Sequence, residues 1–511
     1  MESWFSLDVS EAVDSSHRND SNELVSGEPE GFPTVIQPGT FAVNGIPSSY
    51  QDWWLVRRGP VLIAIASFVV LCNVALSQSP KMIEPDPYAY RASISALADG
   101  NVNLTTQQYM ELSIKLSKTA LGGGIMQWHQ LGDGQWISEK NPGYPYLAVI
   151  FQKFGGLRIT PLIFGTLGCL GLWFGALRWI GRWGAAFSVS LYCSASASMV
   201  FAWRESMPTF TDTSLLACGT GLLMWSVLSV EKTLRLRMGI GALAFFSFGL
   251  ATFVRYSNVT VLAIALAFAA ISCISTRWGL TKSVFLVWLF VVSACVGMLL
   301  WFNDTFYGSV FSTGYQNRYA GGEFTFSSIP TNVRAMPIRV IEAMPVFLVA
   351  IASVAYLIWD EWKERGTRTA LNEDVGLTGS AAGIDNSGDE SRANRVIDRW
   401  MFVFLVASWI STWGLYLMFA ANAKLSLGAS LFGVGNYTFS RMFVPALAPI
   451  VLLAAWLLIR IPLGIAFLTL LVLLFFGIGD FIWVVNSPWA ENPWFRVDTP
   501  APTPPMPSPT P

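Results

Sequence analysis

An all-α integral membrane protein with about eleven transmembrane helices, and a partly helical loop outside the first of them, is the fold class this sequence predicts. Three observations predict it. Of the 511 residues, 53% are hydrophobic and only 13% are charged, and the mean hydropathy is +0.48, far from the balance of a soluble globular chain. Apolar runs close to the roughly 20 residues that a helix needs to cross a bilayer recur along the chain. Between them the polar stretches are short, except for those at 79–146, 303–334 and 360–398.

The elements follow in order. Residues 1–58, rich in Ser, Asn, Glu and Gly, cannot bury enough apolar surface to fold and are predicted to be a disordered cytoplasmic segment. The first apolar run begins only after them, so it is expected to stay as a first span rather than be cleaved as a signal. Spans are predicted at 60–77, 159–179, 184–203, 214–230, 239–254, 259–275, 284–302, 339–359, 401–420, 442–459 and 463–485, which together make residues 59–486 a polytopic membrane domain. Arg57 and Arg58 abut the first span, and the turns carrying Arg178 and Arg182, Lys232, Arg235 and Arg237, and Arg277 and Lys282 fall at alternate ends. Basic loops favour the cytoplasm, which puts the amino terminus and these turns inside and the 79–146 loop outside. By the same count 360–398 is a flexible cytoplasmic linker. The Pro-rich tail, 487–511, is extracytoplasmic and extended.

Composition also excludes. With 32 Lys+Arg against 33 Asp+Glu, no basic face for nucleic acid is expected. All six cysteines lie in or beside apolar runs, where they act as small hydrophobes. Two histidines, His17 and His129, are too few and too far apart for a His-rich metal site.

Polar features gather on the predicted outer side in four places. In the first loop, Glu84-Pro-Asp86-Pro-Tyr88-Ala-Tyr90 holds two carboxylates on a proline-stiffened backbone. A carboxylate fixed there is placed to take a proton from a hydroxyl, although a solvated loop acid is an equal alternative. Tyr88, Tyr90 and Trp128 read equally well as interfacial anchors. Residues 107–121 carry Leu112, Leu116 and Ala120 at helical spacing, the pattern of a helix lying along the membrane surface. Asn141-Pro-Gly-Tyr-Pro145 is a turn leading back into apolar sequence.

Arg204, Glu205 and Asp212 surround Met207-Pro208, with helix capping as the plain role for Asp212. Arg255 interrupts apolar sequence on both sides, where an arginine either snorkels to a headgroup or binds a phosphate. A third outer loop holds Asn303, Asp304, Tyr307, Tyr315 and Arg318, and Arg441 opens the tenth span. Arginines from separate segments converging on one face would clamp a lipid phosphate through paired N–H donors. Oxygen ligands from Asp86 and Asp212 would also suit a divalent cation such as Mg or Mn, and the sequence leaves any metal open.

In their order these pieces resemble the GT-C superfamily of polytopic glycosyltransferases, which includes protein mannosyltransferases and lipid A aminoarabinose transferases. The resemblance is carried by Glu84 to Tyr90 with Ala98-Asp-Gly100, by Asn141 to Pro145, by Pro208-Thr-Phe-Thr-Asp212 and by Phe253-Val-Arg255-Tyr-Ser-Asn258. It continues with Asn303 to Tyr315, including Tyr307-Gly-Ser309 and Thr313-Gly-Tyr315, and with Ser440-Arg441-Met-Phe-Val-Pro-Ala-Leu-Ala-Pro449. It implies transfer of a hexosyl or pentosyl group from a polyprenyl-phosphate donor to a hydroxyl of a glycan, lipid or protein acceptor at the extracytoplasmic face of the cell membrane, in contact with the lipid bilayer and with inversion. It further implies that Asp86 is the catalytic base, with Glu84 its partner. Asp212 would lie near the donor, and Arg255 and Arg441 on its phosphate, while Arg204, Tyr90, Tyr315 and Arg318 complete the candidate site. Lys140-Asn141 stands where such enzymes often have a histidine, and the paired Asp-Glu of protein mannosyltransferases is replaced by Glu-Pro-Asp. The rival class is a polytopic transporter or lipid flippase, which more often carries mid-membrane ionisable residues and inverted repeats.

Overall fold

The computed structural model describes residues 50–78, 85–117, 127–131, 133–152, 154, 156–204, 206–314, 324–375, 387–419 and 440–486. The described residues are helical almost throughout, and the predicted apolar segments fall largely on helix. Among the described residues seven helices are long and apolar enough to cross a membrane, or eight if a bent pair counts as one span. The chain is thus a multi-pass membrane protein, and by this measure the count falls short of eleven.

The shortfall has physical reasons. The spans expected at 159–179 and 184–203 share one helical stretch, α5 (Ile159–Ser194), followed after a break at Ala195 by α6 (Ser196–Trp203). The α5 stretch is a hairpin, not a rod. A straight helix would hold Cys169 and Cys193 about 36 Å apart, yet their Sγ atoms lie 3.5 Å apart. The reversal sits midway between them, at Gly181, whose φ of 73° and ψ of −172° leave the helical region. A residue with a Cβ would be strained there.

The span expected at 339–359 is broken as well. Helices α11 (Ile329–Ala343) and α12 (Val346–Val375) meet at 112°, with Met344 and Pro345 between them, where proline cannot continue the helix ladder. The predicted span at 442–459 narrows to α14 (Leu447–Leu458), preceded by a 3-10 turn at Val444–Ala446. The remaining long helices are α1 (Tyr50–Leu76), α7 (Pro208–Leu228), α8 (Leu234–Val254), α9 (Val259–Ile274), α10 (Lys282–Tyr307), α13 (Ser387–Leu417) and α15 (Leu463–Asn486). Helix therefore begins at Tyr50, inside the segment expected to be disordered, and runs through 360–375 and from 387 onward in the stretch expected to be a flexible linker. The Pro-rich tail lies outside the described residues.

The α5 hairpin packs most extensively on α7 and α1, and α14 fills the space beside α12 and α5. Side chains at one end of the bundle close a structural lock. Asp398 accepts from Trp179 Nε1 at 2.8 Å and from Arg460 Nη2 at 2.6 Å, while Arg460 lies 3.8 Å over the Trp456 ring. Elsewhere Arg237 is buried and donates to the carbonyls of Ser226, Val227 and Trp278, capping the carboxyl end of α7.

The first loop, between α1 and α5, builds its own small core. It contains α2 (Pro85–Ala98), α3 (Thr106–Ser117), an antiparallel strand pair β1 (Trp128–Gln130) and β2 (Trp136–Ser138), and α4 (Gly143–Gln152). Leu112 and Leu116 of α3 pack inward with Tyr109 and Trp128, and Tyr109 stacks on Trp136 at 4.0 Å. The apolar stripe expected to lie on the membrane instead seals this loop, leaving Met110 and Ile114 exposed on the other side. Trp128 and Tyr90 are buried, so neither serves as an interfacial anchor.

Candidate active site

Asp86 opens α2, where the helix dipole favours a carboxylate. Both of its oxygens are engaged. Oδ2 pairs with Arg441 Nη1 at 2.7 Å; Oδ1 accepts from Lys140 Nζ and from Gln127 Nε2, each at 2.8 Å. Burial by itself would raise the Asp86 pKa, but the charges of Arg441 and Lys140, with hydrogen bonds from Lys140 and Gln127, outweigh it and hold the carboxyl well below the ordinary range. Gln127 reaches it from a backbone with φ of 65°, a left-handed conformation uncommon for a residue with a side chain.

A second ion pair lies one step away. Asp212 is fully buried and pairs through Oδ2 with Arg255 Nε at 3.2 Å, while Asn258 Nδ2 donates to its Oδ1. It sits in the second turn of α7, whose N-cap is Met207 with no side-chain cap, so the capping role does not hold. A charge this deep must be paired, since a lone one would cost several kcal/mol. Arg255 does not snorkel outward. It closes α8 and turns inward, donating to Thr209 Oγ1 at 3.2 Å and to the Arg441 carbonyl at 3.1 Å. Tyr416 hydrogen-bonds the same guanidinium and also meets the Ser257 hydroxyl.

The two pairs are thereby joined through Arg441, which binds Asp86 by its side chain and Arg255 by its carbonyl. Tyr90 lies beside them: Lys140 Nζ is 5.8 Å from its ring, and the ring packs edge-on against Tyr144 at 5.4 Å. What brings the loop here is the Asn-Pro-Gly-Tyr-Pro turn. Asn141 Nδ2 donates to the Val254 carbonyl at 3.2 Å, and a Cβ on Gly143 would lie 2.4 Å from the Phe253 carbonyl carbon. Glycine therefore lets α4 dock directly onto the end of α8, beside Arg255.

The structure thus joins Asp86, Asp212, Arg255, Arg441 and Tyr90. Arg204 closes α6 with its guanidinium 5.7 Å over the Phe201 ring, a contact outside this chain of bonds. Glu84, Glu205, Tyr315 and Arg318 lie outside the described residues. Sequence reasoning missed Lys140, Gln127, Asn258 and Tyr416 as participants. Two of them carried a signal, since Lys140 directly precedes the docking turn and Asn258 ends the phrase that contains Arg255.

A divalent metal between Asp86 and Asp212 does not fit this donor set. Each carboxylate is already bound to cationic side chains, and among the described residues no group of three or more His, Cys, Asp or Glu could hold an ion. Next to Lys140 a recess with about 330 Å³ of space, its open mouth included, is walled by Ser93, Ser138, Tyr146, Phe302 and Tyr307. Tyr307 donates to the Ser138 carbonyl at 3.0 Å, tying α10 to the first loop.

No protein-family model and no curated protein matches the chain. Among solved structures it is similar to ArnT from Cupriavidus metallidurans bound to undecaprenyl phosphate, at 16% identity and a TM-score of 0.48, over 81% of this chain and 63% of that one. It is also similar to the oligosaccharyltransferase of Archaeoglobus fulgidus in the apo form, at 9% identity and a TM-score of 0.43, over 86% of this chain and 56% of that one. The chain spans less than two thirds of the length of these proteins.

Proposed function

We propose that the chain is a membrane glycosyltransferase that moves a sugar from a polyprenyl-phosphate donor to an acceptor hydroxyl at the extracytoplasmic face. One observation carries the reading: residues far apart in sequence form a connected polar cluster in which three cations, Arg255, Arg441 and Lys140, face two carboxylates, Asp86 and Asp212. Among the described residues the cations of this cluster outnumber its carboxylates by one, a balance that suits an anion. Guanidinium groups are the side chains best shaped for phosphate oxygens.

The chemistry balances in this cluster. Asp86 takes the acceptor hydroxyl proton as that oxygen attacks the anomeric carbon, and the bond from that carbon to the phosphate oxygen breaks with its electron pair going to phosphate. A diester phosphate with one negative charge becomes a monoester carrying nearly two, while Asp86 becomes neutral, so the total charge held by the three cations stays the same. Attack from the side opposite the leaving phosphate inverts the anomeric carbon. A transporter reading draws less support, because the cluster sits at the ends of α7 and α8 and not along their middles.

The test is transfer from radiolabelled polyprenyl-phosphate sugars in membranes containing the wild type or Asp86→Asn. Loss of transfer in the variant is expected. Equal transfer by both removes Asp86 from catalysis.

A further inference from the structure

We propose that Asp86 is an internal stand-in for the donor's phosphate: its carboxylate and that phosphate compete for Arg441 and Lys140, and displacement by phosphate is what frees Asp86 to act as the base. This deepens the glycosyltransferase reading above and rests on it. The geometry makes the competition direct. An ammonium and a guanidinium hold the two Asp86 oxygens at 2.8 and 2.7 Å, and these are the donors that bind phosphate oxygens with the same short, charge-assisted geometry. A carboxylate so held has its lone pairs committed to cations, not to an acceptor hydroxyl, and its depressed proton affinity makes it a weak base.

The second carboxylate is arranged differently. Asp212 lies fully buried behind Arg255 with an amide donor at its other oxygen, whereas Asp86 keeps 17% of its side-chain surface exposed, as does Arg441. Asp86 is therefore the carboxylate that can give way. Gln127 helps to set the balance, since its amide stabilises the carboxylate where it stands and costs an uncommon left-handed backbone to do so.

Displacement has a signed consequence that a simple base or a simple structural ion pair lacks: weakening the carboxylate's hold must strengthen phosphate binding. The experiment measures binding of undecaprenyl phosphate and, in parallel, of inorganic phosphate to the purified full chain in lipid nanodiscs. Asp86→Asn, nearly isosteric, is expected to tighten binding roughly tenfold by removing the competitor, and Arg441→Gln to weaken it. Gln127→Asn tolerates the left-handed backbone but carries an amide one methylene short. It is expected to tighten binding roughly two- to fourfold, and it serves if Asp86→Asn fails to fold.

Tightening seen for either probe supports the proposal. The probe that binds identifies the source of the phosphate, a lipid headgroup or the free ion. If the wild type binds the lipid phosphate and Arg441→Gln loses it, while Asp86→Asn and Gln127→Asn bind no better than wild type, the stand-in is overturned and the glycosyltransferase reading survives. If neither probe binds the wild type or either of the two tightening variants, both fall together.

Discussion

Two carboxylate–arginine clusters occupy opposite ends of this helical bundle, and they differ in charge balance more than in residue type. At one end Asp398 meets a single cation, Arg460, and the rest of the shell is indole: Trp179 donates to the carboxylate and Trp456 stacks under the guanidinium. Asp360 acts on the same guanidinium, so no positive charge is in excess there, and the Trp456 ring lies over Arg460. At the other end two described carboxylates share three described cations, with donors from the first loop, the α8 end and the segment before α14 and acceptors from α2 and α7. A cation paired with carboxylates on both sides gains little from a further anion, whereas a cluster whose described cations outnumber its described carboxylates gains more. The comparison separates a lock from a site with the same chemical vocabulary.

The sharpest way to break that distinction is to remove one carboxylate from each end. Asp86→Asn is expected to lower sugar transfer by about 10²- to 10⁴-fold, the usual range for losing a general base. Asp398→Asn is expected to leave transfer per folded molecule within a few-fold of wild type. If the two variants lose activity to the same extent, measured on equal amounts of folded protein, the ends are not functionally distinct.

The next largest effect concerns the cation that links the pairs. Arg441→Gln leaves Asp86 with Lys140 and Gln127 only, and it removes a donor to the phosphate. Loss of one partner from a desolvated charge pair costs about 2–5 kcal/mol in binding, so the apparent KM for the donor should rise by about 30-fold or more. Arg441→Lys should recover part of this, because the charge returns without the paired N–H geometry. A donor KM unmoved by Arg441→Gln would remove the phosphate from this end of the molecule.

At the lock the readout is stability. Asp398→Asn keeps the shape but takes the charge from a carboxylate that accepts two hydrogen bonds, and a loss of about 1–3 kcal/mol is expected, seen as a lower midpoint in detergent thermal unfolding. An unchanged midpoint would make the Trp179–Asp398–Arg460 contacts decorative.

The two regions were not equally legible in the sequence. Apolar runs announce helices by length alone, so the bundle could be read, but the reversal at Gly181 and the 112° bend at Met344-Pro345 depend on which way a chain turns, and hydropathy does not record direction. Asp86, Arg255 and Arg441 were visible as charges that apolar surroundings must justify. Lys140 and Gln127 were not, because each is an ordinary polar residue until the docking of Asn141 and Gly143 onto α8 carries it to Asp86. The lock was missed too. Asp398 sat in a polar stretch taken for linker, and only the packing of α13 against the α5 turn shows it buried against Trp179.

The smallest expected effect tests the charge balance itself through pH. Asp86 has a folded-state pKa below its unfolded value of about 3.9. Its ion pairs therefore contribute stability that is fully present above that value and is lost as the pH falls toward the lower folded one. The thermal midpoint gap between wild type and Asp86→Asn should hold steady from neutral pH down to about 5 and close only below about 4. Cations that outnumber carboxylates produce this sign; a carboxylate held in a net acidic or merely buried setting would produce the opposite, with the gap closing between pH 7 and 5. Observing that early closure would mean that Arg441 and Lys140 do not hold Asp86 ionised, and the distinction between the charge-rich end and the balanced end would lose its electrostatic basis.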